Sequence, residues 1–251
     1  MKQFAVIFCV VGMLLSKTAF GQMKVTLDYS PSQYTFNPSG GGEFRAYPSG
    51  TPNLLTSINT AAYAATTSGV ITGQYYFQTF CIESNVSFDP GVTYNVSISP
   101  NALYGNQPPF GDPVSIGTAW LYSQFAAGTL VGLTAGNVPS PYNYTYGFAN
   151  RVQSAGQLQD TIWWLENEPT VGDPGLGNVF RNAVLNQYGT AAAAMANANG
   201  AFGVMALNLG APGLVQDQLV IVPVVPEPAT AAFIVTGALL LAAKRRRLSQ
   251  T

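Results

Sequence analysis

The stretch QYYFQTFCIE, from Gln74 to Glu83, decides the fold: polar and apolar residues alternate in it as in a half-buried strand, and it carries a cysteine, Cys81. The same alternation recurs in KVTLDYS from Lys24, in VTYNVSIS from Val92 and in DQLVIVP from Asp217. Gly and Pro punctuate the connections, as in SGGG from Ser39 and NQPPFGDP from Asn106. Two stretches read as helices: PVSIGTAWLYSQFAAG from Pro113, where the proline suits a first turn, and FANRVQSAGQLQDTIWWLENE from Phe148. A third helix is expected through RNAVLNQYGTAAAAMANA from Arg181. Strands on both sides of a helical middle predict an α+β fold. Its expected form is an antiparallel β-sandwich or barrel-like sheet with an inserted helical subdomain that carries Gln159. No repeat of fixed period stands out.

Cys81 has no partner to pair with. The chain holds two cysteines, and the other, Cys9, lies in MKQFAVIFCVVGMLLSKTAFGQ. That segment has an early Lys2, an apolar run from Phe4 to Leu15 and small residues at Ala19 and Gly21. The order is that of a secretory signal peptide spanning 1–21, with cleavage near Gly21; a retained anchor is the alternative. A lone cysteine in an exported chain is an intermolecular partner, a reactive thiol or an inert buried one. The chain has no histidine, which closes Ser-His-Asp and Cys-His catalysis and every His-containing metal site. No metal, no cofactor and no enzymatic turnover are expected.

The body from Gln22 to Val225 is long enough for a proper core. Its cations are Lys24, Arg45, Arg151 and Arg181, against ten carboxylates, a formal charge of −6 for those residues. An acidic body without a basic patch argues against nucleic acid and anionic lipid as partners. The remaining cations sit largely at the ends. In VPEPATAAFIVTGALLLAAKRRRLSQT a Pro226-Glu227-Pro228 turn precedes an apolar run from Ala229 to Ala243 and the basic cluster Lys244 to Arg247. The prolines bar a helix from continuing upstream, and the cations favour the cytoplasmic side. The run is short beside the roughly 17 to 25 residues of a usual span; a buried helix with a solvated basic end is the alternative.

Several motifs carry no chemistry. The sequons at Asn85, Asn95 and Asn143 are common by chance in Asn-rich chains. Glu166 and Glu168, two apart on a helix, share no face and so make a poor acid/base pair. GLG at Gly175 lacks the preceding strand and further glycines of a phosphate loop. Solvated surface is the expected setting of all three, and of Glu83, for which proton movement is the alternative. In LQDTIWWLE from Leu158, by contrast, Gln159, Trp163 and Glu166 share one helix face while Leu158, Ile162 and Leu165 share the neighbouring one. Pattern alone describes an amphipathic helix with Gln159 in solvent.

Two resemblances change that reading. The tail, about the last twenty-seven residues, resembles the PEP-CTERM sorting signal of Gram-negative surface proteins. This implies transient membrane anchoring through the 226–251 tail, processing near Pro226-Glu227-Pro228 by an exosortase, and export to the cell surface or an exopolysaccharide biofilm matrix. FCIE at Phe80 and LQDTIWWLE at Leu158 resemble the thioester domains of bacterial surface proteins, which carry a cysteine after an aromatic residue and a Gln-x-Ala-Ile-Trp helix; here Thr161 replaces the alanine. TAWLYSQFAAG around Trp120 also looks like a segment of such domains. The resemblance implies an internal thioester between the Cys81 sulfur and the Gln159 acyl carbon in the domain 22–225, shielded from water by Phe80 and Trp163, with Tyr75, Tyr76 and Phe77 as further candidates for that wall. It also implies covalent attachment to an amine or hydroxyl on a surface, with exopolysaccharide among the partners. The rival reading is a structural or adhesive matrix protein of the same export class with an inert Cys81. A polysaccharide hydrolase is a third, without a spaced carboxylate pair to support it.

Overall fold

A computed structural model describes residues 22–29, 35–36, 41–103, 111–130, 134–135, 138–139, 142–144, 149–169, 171–210 and 215–224. Residues 1–21, expected to be a signal peptide, and 226–251, expected to be a sorting tail with Pro226, Glu227 and Pro228, lie outside the described residues. No helix among the described residues is long and apolar enough to cross a membrane.

The fold is α+β with an antiparallel sheet of seven strands. In chain order come β1 (Met23–Tyr29), β2 (Thr35–Phe36), β3 (Gly41–Gly42), β4 (Phe44–Gly50), β5 (Ser68–Ile71), β6 (Gln74–Thr79), β7 (Thr93–Ser99), β8 (Asn101–Ala102) and β9 (Asp112–Pro113). The helices α1 (Ile116–Ala126), α2 (Ala149–Leu165), α3 (Val179–Tyr188) and α4 (Ala191–Ala194) follow, with short β10 (Thr134–Ala135) and β11 (Val138–Pro139) between α1 and α2. The strands β12 (Val204–Leu209) and β13 (Gln218–Ile221) come last. The large sheet runs β13-β12-β7-β1-β4-β6-β5. β1 sits centrally, paired with β4 from Met23↔Gly50 to Tyr29↔Phe44 and with β7 through Thr26↔Thr93. Its alternation is the sequence pattern made solid: Val25 and Leu27 turn inward, while Thr26 meets Thr93 hydroxyl to hydroxyl at 2.7 Å.

Beyond Thr79 the chain of β6 continues across to the far end of the strand order. The Ile82 N–H donates to Asp217 C=O at 3.0 Å, the Leu219 N–H donates to Phe80 C=O at 3.1 Å, and Cys81 bridges Gln218 antiparallel. Cys81 therefore lies where two distant parts of one sheet meet.

The helices begin where side chains cap them. Ser115 accepts from Thr118 N–H at 3.2 Å and starts α1, so Pro113 falls in β9 and not in the first helical turn. Asn178 accepts from the N–H groups of Phe180 and Arg181 at the start of α3. The third helix, expected to run unbroken from Arg181, stops at Gly189 with φ +79°, and Thr190 caps the short α4 that follows. α2 is buried nearly all round. Leu158, Ile162 and Leu165 enter the main core with Phe77, Phe80, Leu121, Phe125 and Phe180, whereas Trp163 joins Cys81 and Phe44 in a separate small cluster.

A buried ion pair sets α2 against the sheet. Arg151 and Glu43 are both 0% exposed. The Arg151 Nε donates to Glu43 Oε2 at 2.9 Å, a second guanidinium nitrogen reaches Glu43 Oε1, and another bond goes to Gln78 Oε1 at 2.8 Å. The Tyr142 hydroxyl adds a donor to Glu43 Oε2 at 2.7 Å. Full pairing is what makes burial of both charges tolerable. Glu43 stands between Gly42 and Phe44, so this pair fixes α2 relative to the backbone that borders Gln159.

Candidate functional site

Gln159 is not in solvent: it is 0% exposed, and its carboxamide is docked on Cys81. Its Nε2 donates to Cys81 C=O at 2.8 Å, while its Oε1 accepts from Cys81 N–H at 3.1 Å and from Gly42 N–H at 3.3 Å. The side-chain amide thus pairs with one residue of the strand as a neighbouring strand would. Two converging N–H groups face its carbonyl oxygen, the arrangement that stabilises negative charge developing there. The approach is close because residue 41 is glycine: a Cβ there would collide with Trp163 Cη2 and lie 2.5 Å from Gln159 Cγ.

The Cys81 sulfur has other neighbours. Its thiol donates to Gln216 Oε1 at 2.8 Å, and Gln218 Nε2 donates to the sulfur at 3.4 Å. Gln216 in turn bonds through Nε2 to Glu83 C=O at 2.5 Å. Two carboxamides therefore touch the thiol, and a third, Gln159, is held on the backbone of the same residue. An S–H pointing at a carbonyl oxygen, as at Gln216, orients the sulfur without exposing the acyl carbon to it. The Gln159 carbonyl oxygen, by contrast, accepts two backbone N–H bonds. Burial pushes the Cys81 thiol well above its usual value, and Glu83 pushes it further the same way, so the resting group is the neutral thiol.

Of the two rings expected to exclude water, Trp163 packs with Cys81 and Phe44, whereas Phe80 turns to the main core and meets Phe125 edge-on at 4.9 Å. Phe44 is the second ring at the sulfur, backed by Phe88 at 4.8 Å. Tyr76 and Phe77 are buried in the sheet and Tyr75 is half-buried, all outside the small cluster.

The acidic residues correct the expectation of solvated surface. Glu83, Glu166 and Glu168 are all buried. Glu83 Oε2 accepts from Asp217 N–H at 2.7 Å; burial and the neighbouring Asp217 raise its pKa and favour the neutral acid. Asp217 is raised too, by burial, against the N–H bonds from Leu103 and Leu209 that favour its charge. Glu166 accepts from Ser115 N–H and hydroxyl, and burial pushes it up to about 7. Glu168 accepts from Ser84 N–H at 2.7 Å, tying the end of α2 to the chain just past Cys81. Gln216, Gln218, Gly41 and the Glu43–Arg151 pair escaped sequence reasoning, since only the tertiary fold brings residues so far apart in the chain around Cys81 and Gln159. Among the described residues no group of acidic or sulfur side chains is arranged to hold a metal ion.

The geometry defines a class of site: a buried thiol beside an immobilised primary carboxamide, inside an antiparallel α+β fold. No family model, no curated protein and no solved structure matches the chain.

Proposed function

We propose that this chain is an exported surface or matrix protein that closes an internal thioester between Cys81 and Gln159 and uses it once, to attach itself to an amine or hydroxyl on another surface. The observation that carries the reading is the Gln159 carboxamide, pinned on Cys81 with its carbonyl oxygen between two backbone N–H groups. In the closing step the sulfur attacks Gln159 Cδ, the C–N bond breaks, and the nitrogen leaves as ammonia with the thiol proton. The N–H groups of Cys81 and Gly42 hold the charge that builds on Oε1, Gln216 and Gln218 orient the sulfur, and Glu83 is the buried acid next to it that can pass protons. Trp163 and Phe44 keep water from the product. Attack by a surface amine then leaves an amide at Gln159 and returns the Cys81 thiol.

The same reading takes the helices between β9 and β12 as the inserted helical subdomain carrying Gln159, and the Cys81–Gln218 bridge as favouring a barrel-like closure of the sheet. The terminal patterns supply the export route: a signal peptide at 1–21, then exosortase processing at Pro226-Glu227-Pro228 in a Gram-negative envelope, with exopolysaccharide as a neighbour. Intact mass tests the core of it. The purified protein should weigh one ammonia less than its mature sequence, and Cys81→Ala should abolish that deficit; a wild-type mass equal to the sequence would sink the reading.

One observation favours the rival, a non-reactive matrix protein. Burial keeps the Cys81 thiol neutral, and a neutral thiol is a poor nucleophile. In that case Cys81 labels with maleimide as soon as the chain is unfolded.

A further inference from the structure

The chain leaves its folded body at an end of the molecule built without charge. β13 closes at Ile221, and the Val222 N–H then donates to Gly203 C=O at 2.8 Å. Val224 follows, 67% exposed, with its Cγ2 3.2 Å from where a Cβ on Gly203 would lie. Next to Gly203 in the chain stands Phe202, 46% exposed and held at φ +58°, a left-handed conformation that aromatic residues seldom adopt. A glycine would hold that turn without strain, so the outlier points to a role for the exposed ring. The segments packed on this exit are uncharged too. The Asn59 N–H donates to Ile221 C=O, the Tyr63 hydroxyl accepts from Ile221 N–H, and α1 lies against the 3₁₀ turn Ala201–Gly203. Residues 46–82, 113–150, 182–216 and 218–226 contain no Lys, Arg, Asp or Glu, which confines the charge of the body to 24–45, 83–112, 151–181 and Asp217.

What faces this end follows from where the chain goes next. Only 225–228 separate Val224 from the apolar run that begins at Ala229, and Glu227 is the one charge in that tether. Fully extended, the five peptide steps from Val224 to Ala229 reach at most about 17 Å. The run to Ala243 would be about 22 Å long as a helix, against a hydrocarbon core of about 30 Å. A segment shorter than the bilayer thins it or draws flanking residues to the interface. We propose that the uncharged exit face, with Phe202 and Val224 as its anchors, lies on the lipid bilayer at the headgroup boundary for as long as the 226–251 tail holds the chain in the membrane. This rests on the membrane reading of the tail and adds that the body is seated on the lipid, not hung from a free tether. An acidic body held this close to a negatively charged leaflet is repelled. Turning its uncharged end to the lipid reduces that repulsion, while the two apolar side chains gain from burial at the interface.

The test uses the chain with its tail intact, reconstituted at one copy per phosphatidylcholine nanodisc so that no second copy covers the face. Co-elution with the disc reads anchoring. With brominated lipid, Phe202→Trp should lose most of the emission it adds to that of the native tryptophans, whereas Leu176→Trp, at a site 81% exposed between α2 and α3, should lose none. Phe202→Gly, which suits the left-handed φ, should melt no lower than wild type and stay in the disc through its tail. It should nevertheless lose the slowed hydrogen exchange of 201–204 and 222–224 that the disc imposes on wild type. High salt should leave the contact intact, since it has no ionic part. In a chain that has entered the disc, equal quenching at the two sites, equal exchange in wild type and Phe202→Gly, or release by salt would each overturn the proposal. A chain that elutes free of the disc sinks the membrane reading of the tail and the seat on the lipid with it. Protection found in crowded vesicles but absent from single-copy discs assigns the face to a second copy and refutes lipid contact.

Discussion

α2 presents two faces to the interior, and they are built on different principles. Leu158, Ile162 and Leu165 enter a broad apolar core in which many neighbours share the load. One helical step round, Trp163 joins Cys81 and Phe44 in a small cluster and Gln159 docks on the backbone of Cys81 beside it, with the indole close against Gly41. The first face needs only apolar bulk of about the right size. The second needs particular atoms within hydrogen-bond distance, and it is fixed from outside by the Glu43–Arg151 pair. Packing holds the helix in the fold, while polar pairing sets the position of Gln159 against Cys81.

The largest test of this contrast removes a support from each side. Arg151→Ala leaves Glu43 buried without its partner and should cost about 3–5 kcal/mol in denaturant unfolding. In whatever fraction folds, it should also loosen Gly42 from Gln159 and lower the yield of the proposed thioester. Leu158→Ala creates a cavity costing about 2–5 kcal/mol, yet its folded fraction should carry the full mass deficit. Loss of the deficit in Leu158→Ala alone would break the division between the two faces.

A second effect, up to about 3 kcal/mol, is electrostatic. Glu166 is raised from 4.5 to about 7 by burial, so between those values the folded chain binds more protons than the unfolded one. The Glu166 contribution should therefore fall away as pH rises from about 4.5 to about 7 and level off above, while Glu83, raised to about 9, continues the decline in stability beyond it. Thermal unfolding across that range measures it. Glu166→Gln can still accept the Ser115 bonds and should flatten the slope below pH 7; a slope unchanged in the variant would refute the assignment.

Much of the fold could be read from the chain and part of it could not. β1 and β7 are half-buried and alternate, which is the pattern a strand leaves in sequence. β12 and β13 are buried on both faces, so alternation fades; β13 stood out through LVIV, while VMALNL did not. β4 was not among the expected strands; it carries Pro48 and Gly50, residues that strands usually avoid, yet it pairs along its length with β1. Cys81 and Gln159 were singled out through short motifs, and the structure brings the two into contact. Carboxylates were misread because their default setting is water, and only tertiary context buries Glu83, Glu166 and Glu168.

The smallest effect sharpens the contrast at one atom. Gly41→Ala introduces a Cβ into Trp163 and Gln159 and should cost about 1–3 kcal/mol by overpacking. It should also slow bond formation by displacing Gln159 from Cys81. Gly172→Ala, where a Cβ meets nothing within 4 Å, should change stability by less than about 0.5 kcal/mol. Equal melting of the two variants would contradict the close approach.

The most direct measurement asks which carboxamide carries the acyl group. The intact protein is treated with methylamine, digested and sequenced by mass spectrometry, with maleimide labelling of Cys81 before and after. The account predicts no labelling before treatment even on unfolding, full labelling after it, and a methylamide on Gln159 alone, with Gln216 and Gln218 unmodified. An adduct on Gln216 or Gln218, or a Cys81 that labels on unfolding before any amine is added, would contradict it.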